Sequence, residues 1–279
     1  MPHLRPKIAL VHELLTMKGG AEKVLRILAN MFPDAPIYTL LYDEEKLGDW
    51  FPKHRIRTST IQKSLQFKAY SQLSIINSQF PYNHHLYLNS FPRAVEAWDF
   101  REFDLVISSS SAFAHGIITN GAPRHISYVH SPARYLWDRT HDVVDRSSTG
   151  LLGPLKRWYL EHTFHKLRIW DSESADRPDV LLAASKAVAR RIELYWRREG
   201  TVLTPPFDDE WYTPLNNKID RTSEPSYVVI STLVPYKQID LVIAACNVLK
   251  RPLTIIGDGP DYQRLKNFAG PTVQFLGYQ

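Results

Sequence analysis

Short, β-branched apolar runs alternate with stretches of helical spacing, and this alternation restricts the fold more than any other feature. Lys7-Ile8-Ala9-Leu10-Val11 predicts a buried strand, followed by a loop from His12 to Lys18 that Gly19-Gly20 closes. From Ala21, the apolar residues Val24, Leu25, Leu28 and Phe32 fall three, four, seven and eleven positions on. That spacing is one face of a helix. Further strands are expected at residues 37–41, 104–108, 125–129 and 179–183. Strands separated by helices form a parallel sheet covered on both faces.

The pattern restarts after a break. Thr204-Pro205-Pro206-Phe207-Asp208-Asp209 joins two prolines to two acids, which ends regular structure and stiffens a connection. The polar stretch from Thr213-Pro214 to Glu224-Pro225 continues it. Strands are then expected at 226–230, 253–256 and 272–276, with helices at 239–249 and 261–269. The 279 residues therefore read as α/β with two Rossmann-like domains, a complete one at 1–206 and a partial one at 207–279. One β-α-β unit takes about 30 residues, so the second domain holds about half of a doubly wound sheet. Its last strand is expected to present a bare parallel edge, prone to association.

Charge follows the same division. Residues 1–206 carry 27 basic and 21 acidic side chains, and residues 207–279 carry 7 and 8. A pI near 9.1 suits phosphates or an anionic surface without selecting either. The basic residues are dispersed and no RNA- or DNA-binding motif is present, so nucleic acid is not an expected partner. The single cysteine, Cys246, excludes an internal disulfide and a Cys-rich zinc site, and a reducing cytoplasm is the simplest home. No apolar run approaches the roughly 18 residues needed to span a bilayer, so any membrane contact is expected to be peripheral.

Ligands of open α/β sheets bind outside the carboxyl ends of the strands. Three loops at such ends carry chemistry. In Lys18-Gly19-Gly20-Ala21-Glu22, glycines before a helix N-terminus can admit a phosphate, or simply make a turn. The loop is not G-x-G-x-x-G, and no acidic residue marks a ribose at the end of the second strand, which argues against a nicotinamide enzyme. In Val129-His130-Ser131-Pro132-Ala133-Arg134-Tyr135, a histidine directly after a strand can donate to a substrate oxygen and Arg134 can pair with an anion. The alternative is a packed histidine and a surface arginine. Third, Ser231-Thr232-Leu233-Val234-Pro235-Tyr236-Lys237 and Gly257-Asp258-Gly259-Pro260 can jointly hold a diphosphate, or be a solvated lysine and a tight turn.

The ordered set of segments KIALVHELLTMKGGAEKVL, ISYVHSPARYLWD, LLAASKAVARRI, VLTPPFD, STLVPYKQIDLVI and IIGDGPDYQRL with QFLGY resembles the retaining glycosyltransferases of family 4. These have two facing Rossmann-like domains, the GT-B architecture. VHELLTMKGGAEKVL and YVHSPARYLWD look most like bacterial transferases of surface-polysaccharide biosynthesis, often mannosyltransferases. The resemblance implies a nucleoside-diphosphate sugar as donor, a glycan or lipid-linked acceptor, and no metal or other cofactor.

The resemblance also implies roles. Gly19 and Gly20 match the loop that meets the donor diphosphate. His130 matches the catalytic histidine that approaches the donor sugar. Arg134 and Tyr135 fall on the acceptor side. Lys237 matches the lysine that binds the donor phosphates, and Gly257, Asp258, Gly259 and Pro260 match the turn beside the donor pocket. Leu276, Gly277 and Tyr278 match the stretch leading to the base. Cationic and N–H donors stabilise the leaving diphosphate without a metal. Two features depart from the family. Thr232 stands where an arginine is usual, and the paired glutamates E-x7-E, expected beyond the third strand of the second domain, are not reached. A truncated or impaired transferase is expected, and the alternative is a non-catalytic scaffold that binds a nucleotide-sugar or glycan beside an active subunit.

Other features read as structural. Phe67, Tyr70, Phe80, Tyr82, Tyr87, Phe91, Trp98 and Phe100, with Lys63, Lys68 and Arg93 among them, are expected to be helices packed on the first sheet, with bilayer contact as the alternative. His84-His85 and His141-Asp142 lack the spacing and partners of metal ligands. Arg190-Arg191 and Arg197-Arg198 are expected on the solvated face of a helix after Ser185 that buries Val188, Ile192 and Tyr195.

Overall fold

The computed structural model describes residues 6–64, 88–121, 123–207 and 226–279. The chain divides into two compact units, Met1–Phe207 and Asp208–Gln279. The linker segment 213–225, the pair His84-His85, and Phe67, Lys68, Tyr70, Phe80, Tyr82 and Tyr87 lie outside the described residues.

The first unit holds seven parallel strands: β1 (Ile8–Leu15), β2 (Ile37–Tyr42), β3 (Ile56–Thr58), β4 (Leu105–Ser110), β5 (Arg124–Val129), β6 (Val180–Ala183) and β7 (Thr201–Val202). Their order is β3-β2-β1-β4-β5-β6-β7. The direction of strand succession reverses between β1 and β4, and a crevice opens at the carboxyl ends of such a pair. Both faces of β1 are buried. Ala9 and Val11 pack with Leu40, Val106, Phe113 and Phe164, and Leu10 packs on the other side with Leu25, Ile37 and Ile107.

The helices cover these faces. In α1 (Gly20–Met31), Val24, Leu25 and Ala29 point inward. Its carboxyl end is held by Arg55, whose buried guanidinium donates to the carbonyls of Ala29, Phe32 and Ala35. A long helix, α2 (Gly153–Ser174), buries Thr163, Phe164, Leu167, Asp171 and Ser174, a helical repeat of one face. In α3 (Lys186–Trp196), the Ser185 side chain accepts the Val188 N–H and caps the start, while Val188, Ile192 and Trp196 are buried.

Four sequence expectations change here. First, β1 continues through His12 and Glu13 to Leu15 instead of ending at Val11, because both polar side chains find buried partners. Second, β3 and β7, at three and two residues, are too short for periodicity to reveal. Third, β2 ends one residue later than expected, so an acid, Asp43, does follow it; its carboxylate caps the next short helix through the Lys46 N–H. Fourth, the arginine face is not simply solvated. Arg191 pairs with Asp138 at 3.1 Å, and Arg198 donates to the carbonyls of Ala175 and Pro178. Tyr195 also lies half-buried, stacked on Trp137 at 4.8 Å, with Trp196 taking the buried position.

Of the aromatic stretch, Phe91, Trp98 and Phe100 pack into the core of the first unit. Tyr38 meets Phe100 at 4.9 Å and Trp98 at 5.7 Å. These three therefore follow the packing reading. Lys63 and Arg93 are exposed. Among the described residues no helix is long and apolar enough to cross a membrane.

The second unit contains β8 (Tyr227–Ile230), β9 (Leu253–Ile256) and β10 (Val273–Gly277), all parallel, in the order β10-β9-β8. Helices α4 (Ile239–Leu249) and α5 (Tyr262–Phe268) join them. Leu233, Ile239, Ile243, Cys246, Leu253, Ile255 and Leu265 form the core. Among the described residues β10 pairs only with β9 and lies at an edge of the sheet.

Candidate functional site

At the carboxyl ends of β1, β4 and β5 the sheet gathers buried polar side chains. Glu13 supplies one of them. Its Oε1 accepts from the Ser110 hydroxyl and from the N–H groups of Ser111, Ala112, Phe113 and Ala114, at 2.7–3.1 Å. Burial raises a carboxyl pKa, but here the His12 charge and the backbone donors outweigh it and Glu13 titrates below the usual range.

His12 adjoins it along the strand. Its Nδ1 lies 3.0 Å from the Ser109 carbonyl and 3.2 Å from the Ser109 hydroxyl, and its Nε2 lies 3.6 Å from Glu22 Oε1. Burial alone would lower its pKa. The Glu22 carboxylate beside Nε2 and the charge of Glu13 reverse the sign, and the value is raised.

His130 follows β5 directly, and its N–H bonds the Ser110 carbonyl at 2.8 Å. Its Nε2 lies 2.8 Å from the Ser109 hydroxyl. Burial, and then the His12 charge, depress its pKa to about 4, so the ring is neutral at pH 7. The local sequence explains its place. Val129 is fully buried at the end of the strand, and the chain must turn where Ser131-Pro132 follows.

Gly19 is the residue before α1, and Gly20 opens the helix. A Cβ on Gly19 would lie 2.5 Å from Glu22 Oε2, whereas one on Gly20 would meet nothing within 4 Å. A side chain at Gly19 would thus have to displace the Glu22 carboxylate that folds back over the first turn, and Gly20 leaves open space beside the helix start. The structure brings Gly19, Gly20 and His130 to the same edge of one sheet.

Arg134 is exposed and lies 3.6 Å from Asp138. Tyr135 turns inward. Its ring meets Phe164 at 5.7 Å, and its hydroxyl is shut off from solvent without a hydrogen-bond partner among the described residues. Trp137 is fixed by a hydrogen bond to Asp171, which also accepts from Trp196. The motif around His130 therefore mixes a crevice residue with packing residues.

In the second unit, the carboxyl ends of β8, β9 and β10 gather Thr232, Lys237, Gly257, Asp258, Gly259, Pro260, Leu276, Gly277 and Tyr278 along one edge. Thr232, Lys237, Asp258, Pro260, Leu276 and Tyr278 are exposed. Lys237 ends a short 3-10 turn, with Nζ 5.6 Å from the Tyr236 ring centre. The turn Gly257–Pro260 packs on Ser231–Leu233. The Ser231 N–H bonds the Ile256 carbonyl and the Leu233 N–H bonds the Asp258 carbonyl. This close approach by itself accounts for the glycine at 257. It also holds Thr232 beside the turn. Gly277 has φ +70 with open space around it.

Among the described residues no group of three or more His, Cys, Asp or Glu side chains is placed to hold a metal. The sequence reading passed over His12, Glu13, Ser109 and Glu22. The available signal was polar residues inside a strand that must be buried on both faces, where such groups need partners.

No protein-family model matches the sequence, and no curated protein matches it. Solved structures do. Alr3699/HepE from Anabaena, in complex with UDP and glucose, is similar over 99% of this chain and 70% of its own, with TM-score 0.55 and 16% identity. A point mutant of S. aureus TarM, in complex with fondaparinux, α-GlcNAc-glycerol and UDP, is similar over 98% of this chain and 78% of its own, with TM-score 0.52 and 14% identity. The likeness is one of fold, and with the two parallel α/β sheets it gives the chain the two-unit Rossmann-like fold of the GT-B glycosyltransferases.

Proposed function

We propose that the protein transfers a sugar from a nucleoside-diphosphate sugar to a glycan or lipid-linked acceptor, with retention of configuration. The observation that carries this reading is His130. It stands at the carboxyl end of a central strand as a neutral ring with one nitrogen held by Ser109, beside the open helix start at Gly20. A neutral histidine there can donate to a sugar oxygen, and the free N–H groups at the start of α1 suit a phosphate. Lys237, Thr232 and the Gly257–Pro260 turn supply cation and hydroxyl groups for the leaving diphosphate. The solved structures of this fold with UDP bound support a nucleotide-sugar donor. Mannose as the sugar, surface polysaccharide as the product, and the inner face of the membrane as the place of work follow from the motif resemblance.

A non-catalytic nucleotide-sugar or glycan-binding scaffold is the second reading, favoured by Thr232 in place of the arginine of the family. Titration calorimetry with UDP-glucose, UDP-N-acetylglucosamine and GDP-mannose, followed by a transfer assay, separates the two. Binding that His130→Ala weakens, with turnover and an axial product, supports the transferase. Binding without turnover favours the scaffold, and no binding of any of the three donors overturns the transferase and leaves only a scaffold that binds glycan.

A further inference from the structure

Four side chains in the first unit form a continuous polar line: Glu22, His12, Ser109 and His130. The successive separations are 3.6 Å, 3.2 Å and 2.8 Å. His12 and Ser109 are almost fully buried, and Glu22 is 8% exposed, so each proton in the line must have an acceptor. The direction of each bond follows from this condition.

The Ser109 carbonyl can only accept, so the His12 Nδ1 beside it carries a proton. That N–H is shared between the Ser109 carbonyl and hydroxyl oxygens. Among the described residues the Ser109 hydroxyl has only two polar neighbours, His12 Nδ1 and His130 Nε2. The first is a donor. The hydroxyl proton therefore goes to His130 Nε2, which must be the bare nitrogen of the ring. The reverse arrangement, Nε2–H donating to Ser109, would strand a hydroxyl proton in a buried place. Among the described residues no polar group bonds the other ring nitrogen, Nδ1.

We propose that Ser109, oriented by His12 and Glu22, is a positioning residue that fixes His130 as its Nδ1–H tautomer, so that the ring offers the ligand an N–H donor and never a bare nitrogen. The inference rests on the proposed function for its consequence, because the group that receives this N–H is an oxygen of the donor sugar. The tautomer itself concerns the free protein. Glu22 and His12 set the direction of the line, and the neutral ring leaves Nδ1–H as a fixed donor at the crevice, which favours hydroxyl or phosphoryl oxygens over ammonium or amide N–H groups.

The test is two-bond 1H–15N correlation on the full chain labelled with 15N-histidine at pH 7, with no ligand present. The expected spectrum gives His130 a protonated Nδ1 and a bare Nε2. Ser109→Ala is expected to give a mixture of tautomers and, with the donor that calorimetry has identified, a kcat lower by about tenfold, the worth of one hydrogen bond. Ser109→Thr keeps the hydroxyl and is expected to restore both. A protonated Nε2 in the parent protein overturns the proposal, as does an unchanged tautomer in Ser109→Ala. If Ser109→Ala does not fold, the parent spectrum and Ser109→Thr still decide. Should the tautomer be as expected while no sugar donor binds, the proposed function fails and the tautomer assignment stands.

Discussion

A Cβ placed on Gly257 would lie 1.9 Å from the carbonyl oxygen of Ser231. Gly257 also has φ +138, a backbone region that side chains avoid. Gly257→Ala is therefore expected to destabilise the second unit by about 3 kcal/mol, combining a collision with backbone and a strained dihedral. Gly277→Ala has the positive φ without the collision and is expected to cost about 1 kcal/mol. Hydrogen exchange at the amides of β8 and β9, read for both variants, measures the difference. Equal losses would show that the contact with Ser231 has no weight.

Glu13 gathers five donors on one carboxylate oxygen next to the raised His12. Glu13→Gln keeps the shape but removes the charge, and a loss of about 3 kcal/mol is expected by urea denaturation. The two groups act in opposite pH directions. The folded pKa of Glu13 is lowered, so its contribution is present above its unfolded value of 4.5 and fades as pH falls through the folded value. The folded pKa of His12 is raised, so its contribution is present below 6.5 and fades as pH rises through the folded value.

His125 is buried and uncharged. Its Nε2 lies 2.8 Å from the Ser108 hydroxyl, and its Nδ1 is enclosed without a partner among the described residues. Burial depresses its pKa to about 3. The unfolded chain therefore binds the proton first as pH falls below 6.5, and stability present above that value is lost down to about pH 3. His130 adds a similar loss down to about pH 4. Melting temperature is expected to fall from about pH 7 to about pH 4.5, and His125→Gln is expected to flatten this fall. A variant with the same acid profile as the parent would remove His125 from the account.

Donor affinity tests the second unit. Lys237→Ala is expected to weaken binding of a nucleoside-diphosphate sugar by about 10- to 100-fold, the scale of one charge-assisted phosphate contact. Thr232→Arg adds such a contact beside the Gly257–Pro260 turn, and affinity is expected to rise by a similar factor. Calorimetry in matched salt reads both. A Thr232→Arg variant no tighter than the parent would place the diphosphate away from this turn.

The sequence made the long elements legible and concealed the short and the polar ones. The helix from Gly20 and the strand at Ile37 follow directly from the spacing of apolar residues. β1 looked shorter than it is because His12 and Glu13 read as loop, and their acceptors and donors come from β4 and the chain after it. The same separation hid Ser109. His130 was legible because it follows a strand, whereas the side chains that orient it come from β1, α1 and β4. Gly257 was legible as a turn residue, but its physical cause, the backbone at Ser231, belongs to another β-α connection. Tyr135 looked available as a residue after a strand, and only the packing of its ring on Phe164 shows that its hydroxyl is enclosed.

Arg55 has one more consequence. Its guanidinium ties down three carbonyls at the far end of α1, while Glu22 sits across from His12 at the near end. With contacts at both tips, the rod is anchored to β1 at one end and to the chain before β2 and β3 at the other, and the ledge at Gly20 shares that anchorage.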